Sequence, residues 1–311
     1  MNNEQMDDGT DCGGRHQHPH APKNFGGAFA VGTSLNFGFV IVEAVFGFHA
    51  HSLALVADAG HNMGDVLGLL LAWGASILAQ STPTQRRTYG LRSSSILAAL
   101  FNAIFLLVAV GAIAWEAIRR FGDPTNVAGR TVIWVSAVGI AINTATALMF
   151  MSGRKGDLNI RAAFLHMASD AAISAGVVIA GFAMLATGYR WIDPVVSLAI
   201  SAVIVWGTWG LLRDSVNLAL HAVPEGIDLA AVKTFLAGLP NVTAVHDLHI
   251  WPMSTTETAL TVHLVRDVDR CDSSLLEKCC KDLHDNFAIQ HATIQFETED
   301  HECGLAPESK V

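Results

Sequence analysis

The chain has 311 residues, of which 51% are hydrophobic and 15% are charged, and its mean hydropathy is +0.39. An average soluble domain carries about 25% charged residues, so this composition argues against an ordinary soluble globular protein. The first 220 residues hold 13 acidic and 13 basic residues, whereas the last 91 hold 15 acidic and 6 basic residues and so carry the whole net charge of −9. A neutral apolar block is therefore joined to an acidic C-terminal part, whose charge argues against a nucleic-acid partner.

Residues 1–24 contain His16, His18 and His20 and have no apolar segment of the kind that marks a signal peptide. We expect this stretch and residues 299–311 to be flexible, disordered tails. The five cysteines are odd in number and none lies in the apolar block, so no disulfide framework is expected and the acidic part belongs in a reducing compartment.

Six apolar segments are each long enough to cross a bilayer, which takes about 20 residues. Turn residues or charges separate them. The predicted spans are 25–48, 53–79, 95–118, 131–151, 162–187 and 191–212. They form a six-helix transmembrane domain over residues 25–213.

An even number of spans places both ends of the chain on one side of the membrane. The loops and tails on that side carry nine Lys or Arg residues, and those on the other side carry four. Because basic residues are enriched in cytoplasmic loops, both termini are expected in the cytoplasm. The sequence thus predicts a multi-pass membrane protein with both termini on the cytoplasmic side.

Residues 221–298 have the pattern of a small α+β domain. A helix over 227–239 is followed by two strands, VTAVHDLHIW and ETALTVHLV, then by the helix SSLLEKCCKDLHDNF and the strand HATIQFE. A domain of about 75 residues buries little surface by itself, so pairing with a second copy is expected.

Two of the predicted spans carry the same pair of ionisable residues, H-x-x-x-D. The second span contains His61 and Asp65, and the fifth contains His166 and Asp170. Residues four apart on a helix lie about 40° apart and about 6 Å apart along the axis, so each helix presents an imidazole and a carboxylate on one face. Two such faces together supply the two nitrogens and two oxygens of a tetrahedral Zn²⁺ site.

A single motif of this kind is equally consistent with a helix cap or a packing hydrogen bond, and the second copy favours the metal site. Asp58 lies on the same face as His61, where it caps the span or lines an entrance, and it is not counted as a ligand. Glu43, in the first span, lines a polar path or joins helices through hydrogen bonds.

These residues lie in longer stretches that resemble the cation diffusion facilitator family, and its bacterial zinc-exporter branch in particular. The similar stretches are SLALVADAGHNMGD, RAAFLHMASD, DPVVSL, LLRDSVNLALHAVP, VHDLHIW and HATIQFE. The resemblance implies a homodimer in a bacterial inner membrane, with a ferredoxin-like cytoplasmic domain. It also implies an exporter that exchanges cytoplasmic Zn²⁺ for protons by alternating access, with His61, Asp65, His166 and Asp170 as the transport site.

The resemblance further implies a metal-binding and dimerisation role for the C-terminal domain, with His246, His263 and Glu297 as a second, regulatory zinc site. The alternative, that these are exposed polar strand residues, stays open. His249 is three residues from His246, so it is expected to point to the opposite strand face and to pack there. The tail motif HEC, with His301 and Cys303, is a candidate for loose metal capture.

Other functions are also compatible with a metal site in a membrane. Intramembrane zinc proteolysis would show H-E-x-x-H, which is absent from the sequence, so no enzyme activity is expected. A passive divalent-metal channel and a membrane metal sensor remain as alternatives. Nitrogen and oxygen ligands disfavour Cu⁺ but leave Zn²⁺, Cd²⁺, Co²⁺ and Ni²⁺ as candidate ions, with protons as the counter-ion of an exporter.

Overall fold

The computed structural model describes residues 26–151, 158–267, 273–298 and 303–304. The expectations for residues 1–24, for His301 and for most of the stretch 299–311 concern parts of the chain outside these residues.

Six long helices make up the N-terminal two thirds of the chain. At about 1.5 Å per residue, the shortest of them is about 33 Å long, enough for the hydrocarbon core of a bilayer. They are α1 (Gly26–His49), α2 (Leu53–Ala79), α3 (Ser94–Arg119), α4 (Gly129–Phe150), α5 (Leu158–Thr187) and α6 (Ile192–Ala219). The last helix runs seven residues past the predicted span, because a helix continues through polar residues such as Arg213 that an apolar segment does not include.

The surface of the bundle is apolar. Trp206, Trp134 and Trp73 are 87%, 74% and 66% exposed, respectively. Helices α2 to α6 are long and apolar enough to span a bilayer, and α1 is apolar over Ser34–His49. Such a surface is stable in lipid, where no cost arises from apolar exposure. The predicted fold class, a six-helix membrane domain followed by a small α+β domain, is confirmed.

We call the end of the bundle that carries the C-terminal domain the inner end, and the opposite end the outer end. Closely packed residues concentrate in the outer half. They include Ala54, Leu55, Val110, Val132, Val177, Met184 and Ile204. Within the bundle α4 packs along α5, α3 along α6, and α1 against α2, whereas α2 and α5 meet over a short stretch only.

A buried carboxylate fixes the start of α2 at the outer end. Asp193, at the start of α6, is fully buried and accepts hydrogen bonds from Ser52 Oγ at 2.5 Å, Leu53 N at 2.8 Å and Ala54 N at 3.3 Å. Arg120 Nη1 lies 3.7 Å from Asp193 Oδ2 and donates to the carbonyl oxygen of His51. The carboxylate satisfies backbone N–H groups that a helix start leaves without partners. These hydrogen bonds fix the position of the start of α2 relative to the start of α6.

The C-terminal domain has the predicted α-β-β-α-β order, as expected for a ferredoxin-like fold. Its elements are α7 (Leu229–Ala237), β1 (Val242–Pro252), β2 (Thr258–Arg266), α8 (Ser273–Phe287) and β3 (His291–Thr298). The strands form one sheet in the order β1-β2-β3, with β1 antiparallel and β3 parallel to β2. The helices cover one sheet face, where Leu236, Leu260 and Leu283 are fully buried.

The turn between β1 and β2 contacts the inner end of the bundle. Arg92, just before α3, forms an ion pair of 2.7 Å with Glu257, and Ser93 Oγ donates to the carbonyl oxygen of Met253 at 3.1 Å. Thr255 N donates to Ser95 Oγ at 3.1 Å. A cavity of about 640 Å³ lies beside this contact, between α2, α3 and the turn.

Candidate metal centres

The two H-x-x-x-D motifs come together where α2 meets α5. His61 Nε2 lies 3.8 Å from Asp65 Oδ2 and 3.7 Å from Asp170 Oδ1. His166 Nε2 lies 3.3 Å from Asp65 Oδ2 and 3.7 Å from Asp170 Oδ2. We call these four residues the membrane tetrad. Each histidine therefore has a carboxylate neighbour on its own helix and another on the facing helix.

These separations match the edges of a metal coordination polyhedron. With metal–ligand bonds of about 2.0 Å, two ligand atoms of a tetrahedral zinc site lie about 3.3 Å apart. The nitrogen–oxygen distances of 3.3–3.8 Å in the tetrad are close to this edge. Asp65 Oδ2 and both carboxylate oxygens of Asp170 are buried and have no hydrogen-bond donor. The tetrad thus presents carboxylate oxygens without donors close to two imidazoles.

The tetrad is open toward the inner end of the bundle. Asp65 and His166, its two members nearest that end, have side chains 33% and 40% exposed, whereas that of Asp170, one turn further out, is 1% exposed. Beyond it toward the outer end, Asp58 and Glu43 are fully buried. An ion could therefore reach the tetrad from the inner side, and packed side chains close the outer side.

Asp58 does not act as a helix cap, because Ser52 occupies the N-cap position of α2 and its side chain accepts from Leu55 N. Its burial also shows that it does not line an open entrance. Instead, Asp58 Oδ2 accepts a hydrogen bond of 3.0 Å from Ser174 Oγ on α5. Of the roles expected for Glu43, the structure shows hydrogen bonding between helices, because its Oε2 accepts from Asn62 Nδ2 at 3.4 Å.

A second group of ligand-type residues lies on the exposed side of the C-terminal sheet. His246 and His263 are directly paired across β1 and β2, and Glu297 on β3 lies beside Val265, two residues along β2. His246 Nε2 is 3.1 Å from Glu297 Oε2, and His263 Nδ1 is 2.9 Å from Glu297 Oε1. Strand register, which the sequence does not determine, therefore brings the three residues together.

Cys303 joins this group, which we call the cytoplasmic cluster. Its Sγ lies 3.5 Å from His263 Nδ1, and the four ligand atoms all lie within 4.8 Å of one another. A cysteine thiolate and imidazoles are ligands that Zn²⁺ prefers. The cluster is largely buried, with side chains of His246, His263 and Glu297 between 3% and 13% exposed. It is therefore a defined pocket, unlike a set of exposed strand residues.

The charge state of Glu297 suits a ligand role. Burial raises the pKa of Glu297, but hydrogen bonds from Cys303 and Gln295 and the neighbouring histidines outweigh burial, so the pKa lies below its ordinary value of 4.5. The carboxylate is therefore ionised at neutral pH. By contrast, burial, together with Cys280 and Asp282, raises the pKa of Cys279 to about 12, so that this thiol stays protonated in the domain core.

Known proteins match the chain along most of its length. A family model described as the cation efflux transmembrane domain matches residues 29–218, and one described as the cation efflux protein cytoplasmic domain matches residues 224–299. The chain belongs to the cation efflux family, the cation diffusion facilitators. The resemblance carried by the two motifs is thereby confirmed.

Three bacterial relatives in this family illustrate the match. The cadmium, cobalt and zinc/H(+)-K(+) antiporter of Bacillus subtilis (strain 168) is 34% identical, over 85% of this chain and 86% of the relative. The metal cation efflux system protein CzcD of Cupriavidus metallidurans is 34% identical, over 92% and 90%. The zinc transporter ZitB of Escherichia coli (strain K12) is 35% identical, over 91% of both chains. These matches span both domains of the cation efflux fold.

In this cation efflux protein, an irregularity in β1 changes the expected role of His249. The register passes from His246↔His263 to His249↔Thr261, so β1 has one extra residue, and Asp247 adopts a positive φ of 51°. His246 and His249 therefore lie on the same sheet face, and the prediction of opposite faces was wrong. The His249 side chain is 43% exposed and pairs with Asp247 at 3.0 Å, so it is not packed in a core.

The sequence does not predict that Asp247 and Cys303 lie beside His263. Asp247 approaches His263 Nε2 at 3.5 Å only because of the bulge, which has no marker in the sequence. The sequence predicts Cys303 only as part of the tail motif HEC, and its position beside His263 is a tertiary contact that the motif does not specify. One feature of the sequence is consistent with this contact. Cys303 follows the last strand by five residues, a distance at which it can still lie near the end of that strand.

Proposed function

We propose that the protein exports Zn²⁺ and related divalent cations from the cytoplasm in exchange for protons, by alternating access at the membrane tetrad. The observation that supports this most is the tetrad's geometry, in which each histidine of α2 and α5 lies 3.3–3.8 Å from a carboxylate on its own helix and from one on the facing helix. The names of the relatives, which include a zinc transporter and a zinc/H(+)-K(+) antiporter, agree with this cargo and this counter-ion.

Proton exchange follows from the chemistry of the ligands. Metal binding needs neutral imidazoles and ionised carboxylates, so protons compete with the metal for the tetrad. An unperturbed histidine titrates near pH 6.5, close to the pH on either side of a membrane. On the more acidic outer side protons displace the metal, and on the inner side the metal displaces protons.

The open inner side and packed outer half of the bundle support loading from the side of the C-terminal domain. Together with the excess of basic residues on that side, this favours a bacterial inner-membrane protein with both termini in the cytoplasm. We propose domain limits at residues 25–213 and 221–298. We further propose a homodimer, because a domain with a single three-stranded sheet gains buried surface by pairing.

The cytoplasmic cluster is proposed as a regulatory zinc site, with His246, His263 and Glu297 as ligands and Cys303 as a fourth. All four ligand atoms lie on one side of the sheet, away from the packed core. Metal bound there would hold Cys303 against the sheet, and occupancy of the site would depend on the cytoplasmic metal concentration.

The experiment is zinc flux in proteoliposomes, with Asp65→Ala and His166→Ala compared with the unaltered chain. His49→Ala is the matched control, because His49 is an exposed histidine at the end of α1. We expect saturable zinc flux that responds to a pH gradient, is lost in both tetrad variants and persists in the control. Undiminished flux in the tetrad variants would contradict the site. Flux without saturation or proton coupling would indicate a channel, and binding without flux a sensor.

A further inference from the structure

Two buried carboxyl groups next to the membrane tetrad have no role in the proposed transport site. Glu43 on α1 and Asp58 on α2 are both fully buried, on the closed, outer side of the tetrad. Asn62, one helical turn after Asp58 on α2, donates to Glu43, which brings the two carboxyl groups together between α1 and α2. We call them the carboxyl pair. The role that we assign to the carboxyl pair rests on the proposed function of the tetrad.

The hydrogen bonds around the pair leave one donor missing. Asn62 donates to Glu43 Oε2, and Ser174 donates to Asp58 Oδ2. The second oxygen of each carboxyl group, Glu43 Oε1 and Asp58 Oδ1, is buried without a donor from the protein. Two ionised carboxylates cannot bond to each other, whereas a carboxylic acid donates a hydrogen bond to a carboxylate. One proton held between them is therefore the donor that the geometry lacks.

Charge balance leads to the same result. Within the described residues, no Lys or Arg side chain pairs with Glu43 or Asp58, and neither carboxyl group forms an ion pair with the tetrad. Two adjacent negative charges in a buried, low-dielectric site repel each other, and proteins relieve such repulsion by retaining a proton. A pair that holds one proton carries a single negative charge.

Within the described residues, the titratable groups whose charge acts most on the pair lie on two helices. They are His61 on α2 and Asp170 on α5, both members of the tetrad. Helix α4, which packs against α1, has no titratable residue between positions 131 and 150. The charge that changes nearby during transport is therefore the metal ion in the tetrad.

We propose that Glu43 and Asp58 share one proton while the tetrad is empty and release it when a divalent cation binds there. A metal ion adds two positive charges beside the pair, which favours its doubly ionised form. The proton leaves to solvent, and the pair changes from one negative charge to two. Exchange thus involves residues that are not metal ligands, and the release of metal on the outer side is accompanied by reprotonation of the pair.

The test counts protons released when Zn²⁺ is added to the full-length protein in weakly buffered detergent solution with a pH indicator. Glu43→Gln and Asp58→Asn keep the shape of each side chain. We expect each variant to bind the same amount of Zn²⁺ as the unaltered chain and to release about one proton fewer per ion. The double variant should release no fewer than either single variant, because the pair holds one proton. Contributions from the cytoplasmic cluster are the same in all proteins and cancel.

Glu116→Gln, at the outer end of α3, is the control and should release as many protons as the unaltered chain. Unchanged release in Glu43→Gln and Asp58→Asn, additive losses in the double variant, or loss of zinc binding in either single variant would overturn the proposal. Infrared difference spectra of the unaltered chain give an independent readout, because a protonated carboxyl band should disappear on zinc binding. If the unaltered chain neither binds nor moves zinc, the proposed function itself has failed.

Discussion

His263 is the residue that organises the cytoplasmic cluster. Its Nδ1 lies close to Glu297 and Cys303, and its Nε2 lies 3.5 Å from Asp247 Oδ2. Metal-binding histidines commonly use the second ring nitrogen to bond a carboxylate, which fixes the orientation of the ring. Asp247 therefore orients His263 from outside the cluster, and the bulge in β1 serves to place it there.

Cys303→Ser tests whether the thiol belongs to the cluster. We expect the substitution to weaken metal binding at the cluster by at least about 10-fold, because a thiolate is a far stronger zinc ligand than a hydroxyl group. Titration of the full-length protein with Co²⁺ gives a direct readout, since cobalt–thiolate coordination produces a charge-transfer absorption. The absorption should be present in the unaltered chain and absent from Cys303→Ser.

Cys280→Ser is the matched control, because Cys280 lies on α8, away from the cluster residues. It should keep the cobalt–thiolate absorption. Equal absorption in Cys303→Ser and the unaltered chain would show that the thiol is not a ligand.

The low pKa of Glu297 makes the stability of the C-terminal domain depend on pH. Folding lowers this pKa below its ordinary value of 4.5, so folding favours the ionised form. The stabilisation is complete above the ordinary pKa and is lost as the pH falls through the lower pKa of the folded state. In metal-free buffer, the stability difference between the unaltered chain and Glu297→Gln should therefore be present above the ordinary pKa and shrink below about pH 4.5.

Hydrogen exchange of the β-strand amides, with both proteins compared at the same pH, measures this difference. A difference that grows as the solution becomes more acidic would contradict the assignment, since it would mean that the protonated form of Glu297 is the stabilising one.

At the level of elements, α2 carries the residues on which the site depends. Its outer end is tied to Asp193, its middle holds His61 and Asp65, and its inner part lines the cavity next to the C-terminal domain. Gly64 lets α2 approach α3 closely, because a Cβ atom there would lie 2.8 Å from Leu106 Cγ. The position of Asp65 in the tetrad thus depends on the neighbouring glycine.

Gly64→Ala should displace α2 from α3 and disturb the tetrad. We expect a loss of about 1–3 kcal/mol of stability from overpacking and a marked fall in zinc flux. Thermal unfolding in detergent and flux in proteoliposomes measure the two effects. Gly74→Ala is the control in the same helix, since its Cβ would meet no atom within 4 Å. It should keep full flux, and an equal loss of flux in both variants would contradict the packing argument.

The elements were largely predictable from the sequence, because lipid requires long apolar segments and these are visible as such. The predicted α2 span coincides with the helix Leu53–Ala79. The spacing of His61 and Asp65 also fixes their common helix face. Contacts between distant segments were not predictable. A single sequence does not encode strand register or tertiary contacts locally. Register determines the pairing of His246 with His263 and the bulge at Asp247, and a tertiary contact places Cys303 beside His263.

In the whole molecule, the open half and the closed half of the bundle have different roles in the proposed mechanism. The inner half gives access to the tetrad and contacts the C-terminal domain, while the outer half is packed and contains the carboxyl pair. The contact between Arg92 and Glu257 joins the turn after β1 to the start of α3, so a change in the cytoplasmic domain can reach the bundle through it.

Arg92→Glu tests this connection. The ion pair is more than one third exposed, so its contribution to stability is at most about 1 kcal/mol. We therefore expect little change in thermal unfolding but a slower zinc flux, because two like charges would push the turn away from α3. The exchanged pair Arg92→Glu with Glu257→Arg should restore the flux. Flux that stays normal in Arg92→Glu would show that the contact does not couple the domains.

The most direct test of the central claim measures zinc and proton movement at the same time in proteoliposomes that contain the full-length chain. Zinc moving in one direction should be accompanied by protons moving in the other, and an imposed pH gradient should drive zinc uphill. Both movements should disappear together in His166→Ala. Zinc flux that persists in His166→Ala, or that moves without protons in the unaltered chain, would contradict the assignment of the tetrad as a proton-coupled transport site.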